Sequence, residues 1–390
     1  MASEVDRLDA ARMMERACRE TGLADFGDPT LGARVAALAQ VMEQAGLDPA
    51  ARERARAVYH WLLADRLRLF DDHRRHRLDA ERILRPLIVT GEARCGTTFA
   101  QMLFGQDPDA RLLKFWEVMH PSPPPSLAPA DDPRIARADA DWREILAQIP
   151  AWLISHPYND MLGANPPECE RLWAMDFRNT TPTGWWRVPL PMVVGTAQDP
   201  PAQYRVHRMM LQQIQHGGPV RRWVLKGTQH HHRLPTVLET YPDAVVVWIH
   251  RDPVQALASR VQLLVEIQEG IAGPMDRKAY AALTLAFGRE VFARLATDSW
   301  ADDPRVHHVL YKDFTRDPIG QIRRVYARAG LEFTPAYEAA MQAWMPANRS
   351  DRYGRFRYPL DVFDTPVAQL HEEFAPYRER FSVEIEMPRQ

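Results

Sequence analysis

The sequence predicts an α/β fold: a mainly parallel central sheet with helices on both faces, preceded by an N-terminal helical region. Three observations predict it. Short apolar runs beginning at Pro86, and at 222–225, 244–249 and 305–310, are each followed by a stretch with helical spacing. That alternation marks βα units, whose strands read as unbroken apolar runs because both sheet faces are covered. Just beyond three of these runs stand Gly91, Lys226 and Arg251, at the strand ends where an open parallel sheet binds its ligands. Finally, 390 residues at 46% hydrophobic content can bury one large core, which favours a single large domain with helical additions.

Taken in order, residues 30–45 and 49–70 carry apolar side chains at helical spacing. These are Val35, Leu38, Val41 and Met42 in the first, and Val58, Trp61, Leu62 and Leu63 in the second. Residues 71–85 are charge-rich and read as a link to the first strand. After that strand, its loop and a helix, the prolines of 121–133 mark an irregular segment, and 142–153 reads helical again. Gly217-Gly218-Pro219 punctuates the chain before the second βα passage, and a helix over 313–329 follows the last strand. The expected organisation is a helical region over 1–84, an α/β domain over 85–358 with a helical insertion at about 121–218, and a C-terminal extension over 359–390. No repeat of solenoid period is present.

A formal net charge of -2 gives no overall nucleic-acid footprint, so basic clusters have to be judged one by one. Cys18, Cys95 and Cys169 are few and lack C-x-x-C spacing, which suggests neither a disulfide framework nor a zinc site and fits a reducing compartment. The N-terminus is acidic and periodic, unlike a secretory signal, and no run has the apolar length of a membrane span. A cytoplasmic location is the expectation.

The segment Pro86-Leu-Ile-Val-Thr-Gly-Glu-Ala-Arg-Cys-Gly-Thr-Thr-Phe99 reads as a strand, a glycine-bounded turn and a helix start. Gly91 and Gly96 have the spacing of a phosphate-binding loop, but Thr97 occupies the lysine position, followed by Thr98. Such a loop turns backbone N–H groups toward an anion, and the helix start adds further donors. Arg94 adds a planar fork of donors, which suits a terminal phosphate plus a further anionic group better than a magnesium-bridged triphosphate.

G-x-x-R-x-G-T-T after an apolar strand resembles the 5′-phosphosulfate loop of sulfotransferases that use 3′-phosphoadenosine-5′-phosphosulfate (PAPS). Two further segments agree. In Val245-Val-Val-Trp-Ile-His-Arg-Asp-Pro253, with Ser259 eight residues after Arg251, the arginine and serine match the family pair that binds the cofactor 3′-phosphate. In Trp223-Val-Leu-Lys-Gly-Thr-Gln-His230, Lys226 and His230 match the W-V-L-K-x-P-x-H segment of the bacterial branch. Thr228 stands where that branch has proline, and Cys95 where a serine or threonine is common. The resemblance covers about 84–356 and implies a PAPS co-substrate bound by Arg94, Cys95, Gly96, Thr97, Thr98, Arg251 and Ser259. The basic segment 348–357 resembles the family's late cofactor-closing loop, which adds Arg349, Arg352 and Arg355 as 3′-phosphate contacts.

Sulfonate transfer needs an aligned acceptor, removal of its proton and charge stabilisation on the departing phosphate oxygen; it requires no metal. Lys226 is the expected stabiliser of that oxygen. His230 is the first choice of general base, since a neutral imidazole can take the proton near pH 7. His231 and His232 extend a three-histidine run, of which one or two are expected to face solvent. Glu170, in Asn165-Pro-Pro-Glu-Cys-Glu-Arg-Leu-Trp173, is the rival base; Glu168 and Glu170 have the alternative of a helix start or a pairing with Arg171. Trp173, Phe177, Trp185 and Trp186 with Met161 and Met175 suit a wall for an apolar or ring-containing acceptor, or simply core packing. The expected activity is sulfonate transfer to a hydroxyl of a small molecule or glycolipid, in an enzyme that can form oligomers. A P-loop small-molecule kinase and a catalytically inactive nucleotide-binding protein are the alternatives.

Overall fold

The protein is described by a computed structural model covering residues 8–44, 47–178 and 199–386. Five short strands form one parallel sheet: β1 (Leu87–Thr90), β2 (Ala110–Leu112), β3 (Arg222–Lys226), β4 (Val245–His250) and β5 (Val306–Leu310), in the order β2-β3-β1-β4-β5. The register pairs Ile88 with Leu225 on one side and with Val246 on the other. Every residue of β1 and β4 is buried, as a central strand covered on both faces requires. Successive strands are added on one side of β1 and then on the other, so the order reverses there. The crevice beyond the carboxyl ends of β1 and β4 is the place where such a sheet takes a ligand.

In front of the sheet stand α1 (Ala10–Thr21), α2 (Leu31–Gln44) and α3 (Pro49–His76). The charged segment from 71 does not break the helix, because Arg74 and Arg75 project outward and pair with Asp71 one turn back. Their inner faces, through Leu38, Tyr59 and Leu63, join the same apolar cluster as Trp223 and Trp248. A buried carboxylate ties this region down: Asp176 receives the guanidiniums of Arg34 at 3.3 Å and Arg66 at 3.2 Å, and also pairs with Arg178. Asp28 adds a second carboxylate to the group, 2.9 Å from Arg34 and 3.4 Å from Arg178.

Further helices follow along the chain: α4 (Thr97–Phe104), α5 (Phe115–Met119), α6 (Pro133–Gln148), α7 (Trp152–Ser155), α8 (Pro200–Gln215), α9 (Leu234–Thr240), α10 (Pro253–Ala272) and α11 (Arg277–Leu295). The expected 313–329 helix is two, α12 (Tyr311–Arg316) and α13 (Pro318–Ala329), broken where Asp317 caps the second and Pro318 begins it. After α14 (Pro335–Ala347) the chain returns through α15 (Val367–Glu373) and α16 (Ala375–Phe381). These last two are part of the core: Tyr377 bonds to His250 at 2.7 Å and Phe381 stacks on the same ring. No described helix is long and apolar enough to cross a membrane.

Candidate functional site

Strand β1 delivers the loop 91–96 to the crevice. A side chain at Gly91, where φ is 142°, would place its Cβ 2.3 Å from the Ile249 carbonyl oxygen of β4, so only glycine passes. Gly96 (φ 84°) turns the chain into α4, whose start no side chain caps, leaving first-turn amides for an anion. Arg94 also takes positive φ, 73°, a conformation uncommon for a residue with a side chain. Gly96, Thr97 and Thr98 line a cavity of about 1660 Å³. Cys95 does not: its thiol is buried under the loop and held well above its ordinary pKa by that burial.

Lys226, at the end of β3, reaches the same cavity, with Nζ 2.8 Å from Glu168 and 3.3 Å from the Thr98 hydroxyl. Burial opposes the charge of Glu168, but Lys226 outweighs it and holds this carboxyl below its usual range. Glu168 is 41% exposed, and that exposure is onto the cavity. Glu170 is a different carboxylate. Burial, and then the charge of Glu168, push it up to about 7. One oxygen accepts from the Thr228 hydroxyl at 3.1 Å and from the Gln229 amide at 3.0 Å. Thr228 thus supplies a hydrogen bond that a proline there could not.

His230 lies behind the cavity wall rather than on it. It is fully buried, Nδ1 stands 2.5 Å from the Tyr204 hydroxyl, and the ring packs against Trp173 and His207. Burial, reinforced by His207 and Arg233, holds it neutral far below its ordinary range. The first-choice base of the sequence reading therefore does not line the cavity in this conformation. Nor does the histidine run open to solvent as expected: His231 is fully buried and His232 half-buried, both against Glu92 at 3.1 and 2.9 Å.

Arg251 and Ser259 lie beside the loop. Arg251 Nη1 donates to the Arg94 carbonyl at 2.7 Å, and the Arg94 side chain crosses to donate to Ser259 Oγ at 3.0 Å. Burial and the neighbouring Arg251 lower Arg94 to about 10. Asp252 caps α10 through Val254 N–H and Pro253 takes its first position, so His-Arg-Asp-Pro is at once a helix start and the mount for Arg251. Of the late basic loop, Arg349 and Arg355 border the cavity, Arg349 paired with Asp351 at 2.9 Å. Arg352 does not border it; its guanidinium is committed to Asp160 and to the Pro157 carbonyl.

Other residues on the site carried no sequence signal. His156 lies on the cavity and is kept neutral by burial, then by Arg94 and Lys226. Phe356 stacks on Arg94 at 4.7 Å, and Tyr311 on Arg251 at 4.4 Å. Of the residues that suited either an acceptor wall or core packing, three take the second role. Trp173, Met175 and Phe177 are core residues, Met161 is exposed, and Trp185 and Trp186 lie outside the described residues. The wall is built by Phe115, Trp142, Trp152, Ile154, Leu264 and Ile267.

Among the described residues, two groups bring metal-ligating atoms within 4.8 Å of one another: Glu92 with His231 and His232, and Cys169 with His207 and His230. Chain spacing shows neither. The first is already balanced by Arg260, 3.6 Å from Glu92, and by Arg294 on His232. Each offers three donors, one short of a closed zinc tetrahedron.

Comparison with known proteins gives a consistent result. A family model described as "Sulfotransferase family" matches residues 86–335. Omega-hydroxy-beta-dihydromenaquinone-9 sulfotransferase Stf3 from Mycobacterium bovis is 26% identical over 155 residues, 38% of this chain and 38% of that protein. The matched region thus spans about two fifths of this curated relative's length. Among solved structures, sulfotransferase STF9 from Mycobacterium avium superposes with a TM-score of 0.82 at 26% identity, covering 99% of both chains. Sulfotransferase STF1 from Mycobacterium tuberculosis H37Rv gives 0.77 at 26% identity, over 95% of this chain and 100% of that one.

Proposed function

The chain belongs to the sulfotransferase family, and from that premise we propose that it transfers the sulfonate group of PAPS to a hydroxyl on an acceptor with an apolar body. One observation carries this reading: loop residues Gly96 to Thr98, Lys226 and the Arg251–Ser259 pair converge on a single cavity, with Arg94 bonded to both members of that pair. One adenine nucleotide can therefore touch both anion-binding regions. The acceptor oxygen attacks sulfur as the sulfur–phosphate oxygen bond breaks, giving a sulfate ester and adenosine 3′,5′-bisphosphate. Lys226 neutralises the departing oxygen, and the acceptor proton passes to Glu170. The aromatic and aliphatic wall supports a hydroxyl carried on an apolar frame, the kind of acceptor that Stf3's name describes. A cytoplasmic setting supplies the donor.

Calorimetry with adenosine 3′,5′-bisphosphate and with ATP tests the donor. The bisphosphate is expected to bind more tightly, without magnesium. Preference for ATP, or magnesium-dependent ATP turnover, would hand the site to a kinase.

Thr228→Val tests the surroundings of Glu170. The threonine hydroxyl favours the ionised carboxylate, so its loss raises the Glu170 pKa above about 7. Turnover below neutrality is expected to fall roughly threefold to tenfold, with the plateau above pH 9 unchanged. An unmoved pH profile would separate Thr228 from the reaction.

A further inference from the structure

Resting on the donor reading above, we propose that the Glu386 carboxylate holds the position of the nucleotide 3′-phosphate. A donor then engages the Nε–Nη2 fork of Arg251 only by displacing Glu386, which makes this residue a brake on the binding of 3′-phosphorylated nucleotides. After α16, Ser382 takes φ 55° and turns the chain back, Val383 is buried, and Glu386 arrives on the cavity wall. Its two oxygens receive Arg251 Nε at 3.0 and 3.2 Å and Nη2 at 3.0 Å. This fork-on-carboxylate geometry uses the donors that phosphate oxygens use equally well.

The fork that faces the carboxylate, Nε with Nη2, is fully engaged. Nη1 holds the Arg94 carbonyl, and Nη2 also donates to the Tyr358 hydroxyl at 2.9 Å. A phosphate that engages Arg251 through this fork must therefore take bonds from Glu386. The tail itself need not leave, because its backbone is held separately. Glu386 N–H donates to Asp252 at 2.9 Å, and Gln255 donates to the Glu386 carbonyl at 3.1 Å. Rotation of one side chain is enough for the exchange.

A 3′-phosphate brings nearly two charges and several acceptor oxygens, so it can replace one carboxylate on arginine. A 3′-hydroxyl cannot, and it leaves the Arg251–Glu386 pair standing. The pair thus charges a binding penalty to 3′-phosphorylated nucleotides alone and narrows their advantage over nucleotides with a 3′-hydroxyl.

Calorimetry with adenosine 3′,5′-bisphosphate and adenosine 5′-monophosphate on the natural protein, Glu386→Gln and Glu386→Ala tests this. Glutamine keeps the shape and one acceptor while removing the charge, so the tail has every reason to stay docked. In both variants the bisphosphate Kd is expected to tighten by about tenfold or more, with the monophosphate Kd nearly unchanged. Equal bisphosphate affinity in all three proteins would overturn the proposal while leaving the donor reading intact. Weaker binding in Glu386→Gln would also overturn it, by showing that Glu386 holds Arg251 in place for the phosphate. If none of the three binds the bisphosphate while all bind ATP, the donor reading falls and this inference with it.

Discussion

Lys226→Ala is expected to lower kcat by about 10² to 10³ while leaving the affinity for adenosine 3′,5′-bisphosphate within a fewfold of its natural value. The reason is where the ammonium sits. It is 3% exposed, at the carboxyl end of β3, touching Thr98 at the start of α4 and Glu168 on the opposite wall. The other groups proposed to hold the donor, Arg94, Arg251 and the loop amides, do not pass through it. Charge on the departing phosphate oxygen grows only as the sulfur bond breaks, so an ammonium aimed there lowers the barrier more than it strengthens binding. Removing it also strands Glu168, whose ionisation depends on it. A Lys226→Ala/Glu168→Gln double variant separates the two effects. If the loss comes from the missing cation, the double variant is as slow as the single one. If turnover recovers, the fault lay with the stranded carboxylate. Unchanged turnover in the single variant would remove Lys226 from the mechanism.

The parts of this molecule that were legible in the sequence are those in which local spacing carries the physics. Gly91 and Gly96 are needed by the backbone itself, one for its approach to β4 and one for the turn into α4. Asp252 and Pro253 write the start of α10 into consecutive residues. The central strands β1 and β4 could be read because burial on both faces makes them almost wholly apolar, whereas β2 is three residues long at the sheet edge, with two of them only half-buried. Charge was misleading in 71–76, where the pairing partners lie on the outer face of α3. The largest gaps concern the direction of side chains. Trp142 and Trp152 line the cavity while Trp173, of the same chemistry, is fully buried. His230 matches a motif in type and spacing, yet the short helix it begins turns it into the core. Glu386 stands 135 residues from Arg251, a separation at which no spacing rule operates.

The second large effect concerns the proton. Glu170→Gln is expected to reduce kcat by about 10² to 10⁴ and to abolish the acid limb of the pH–rate profile. In the natural protein the carboxyl titrates at about 7, lifted by burial and then by Glu168. It accepts a proton only when ionised, so turnover should climb between about pH 6 and 8 and then level off, whereas glutamine should give a flat, low profile. The same residue makes an independent prediction about stability. Its folded value lies above the ordinary 4.5, so the ionised form is disfavoured by folding. Stability attached to this group is therefore fully present below about pH 4.5 and is lost as pH rises through about 7. Glu170→Gln should then raise the melting temperature relative to the natural protein at pH 8, with little difference near pH 4.5. Slower turnover together with greater stability is the mark of a group held in an unfavourable state for chemistry, whereas a merely structural carboxylate would lose both. His230→Gln serves as the counterpart. With its ring outside the cavity and neutral throughout this range, its replacement should leave the acid limb in place, and a profile flattened by His230→Gln but not by Glu170→Gln would return the proton to the histidine.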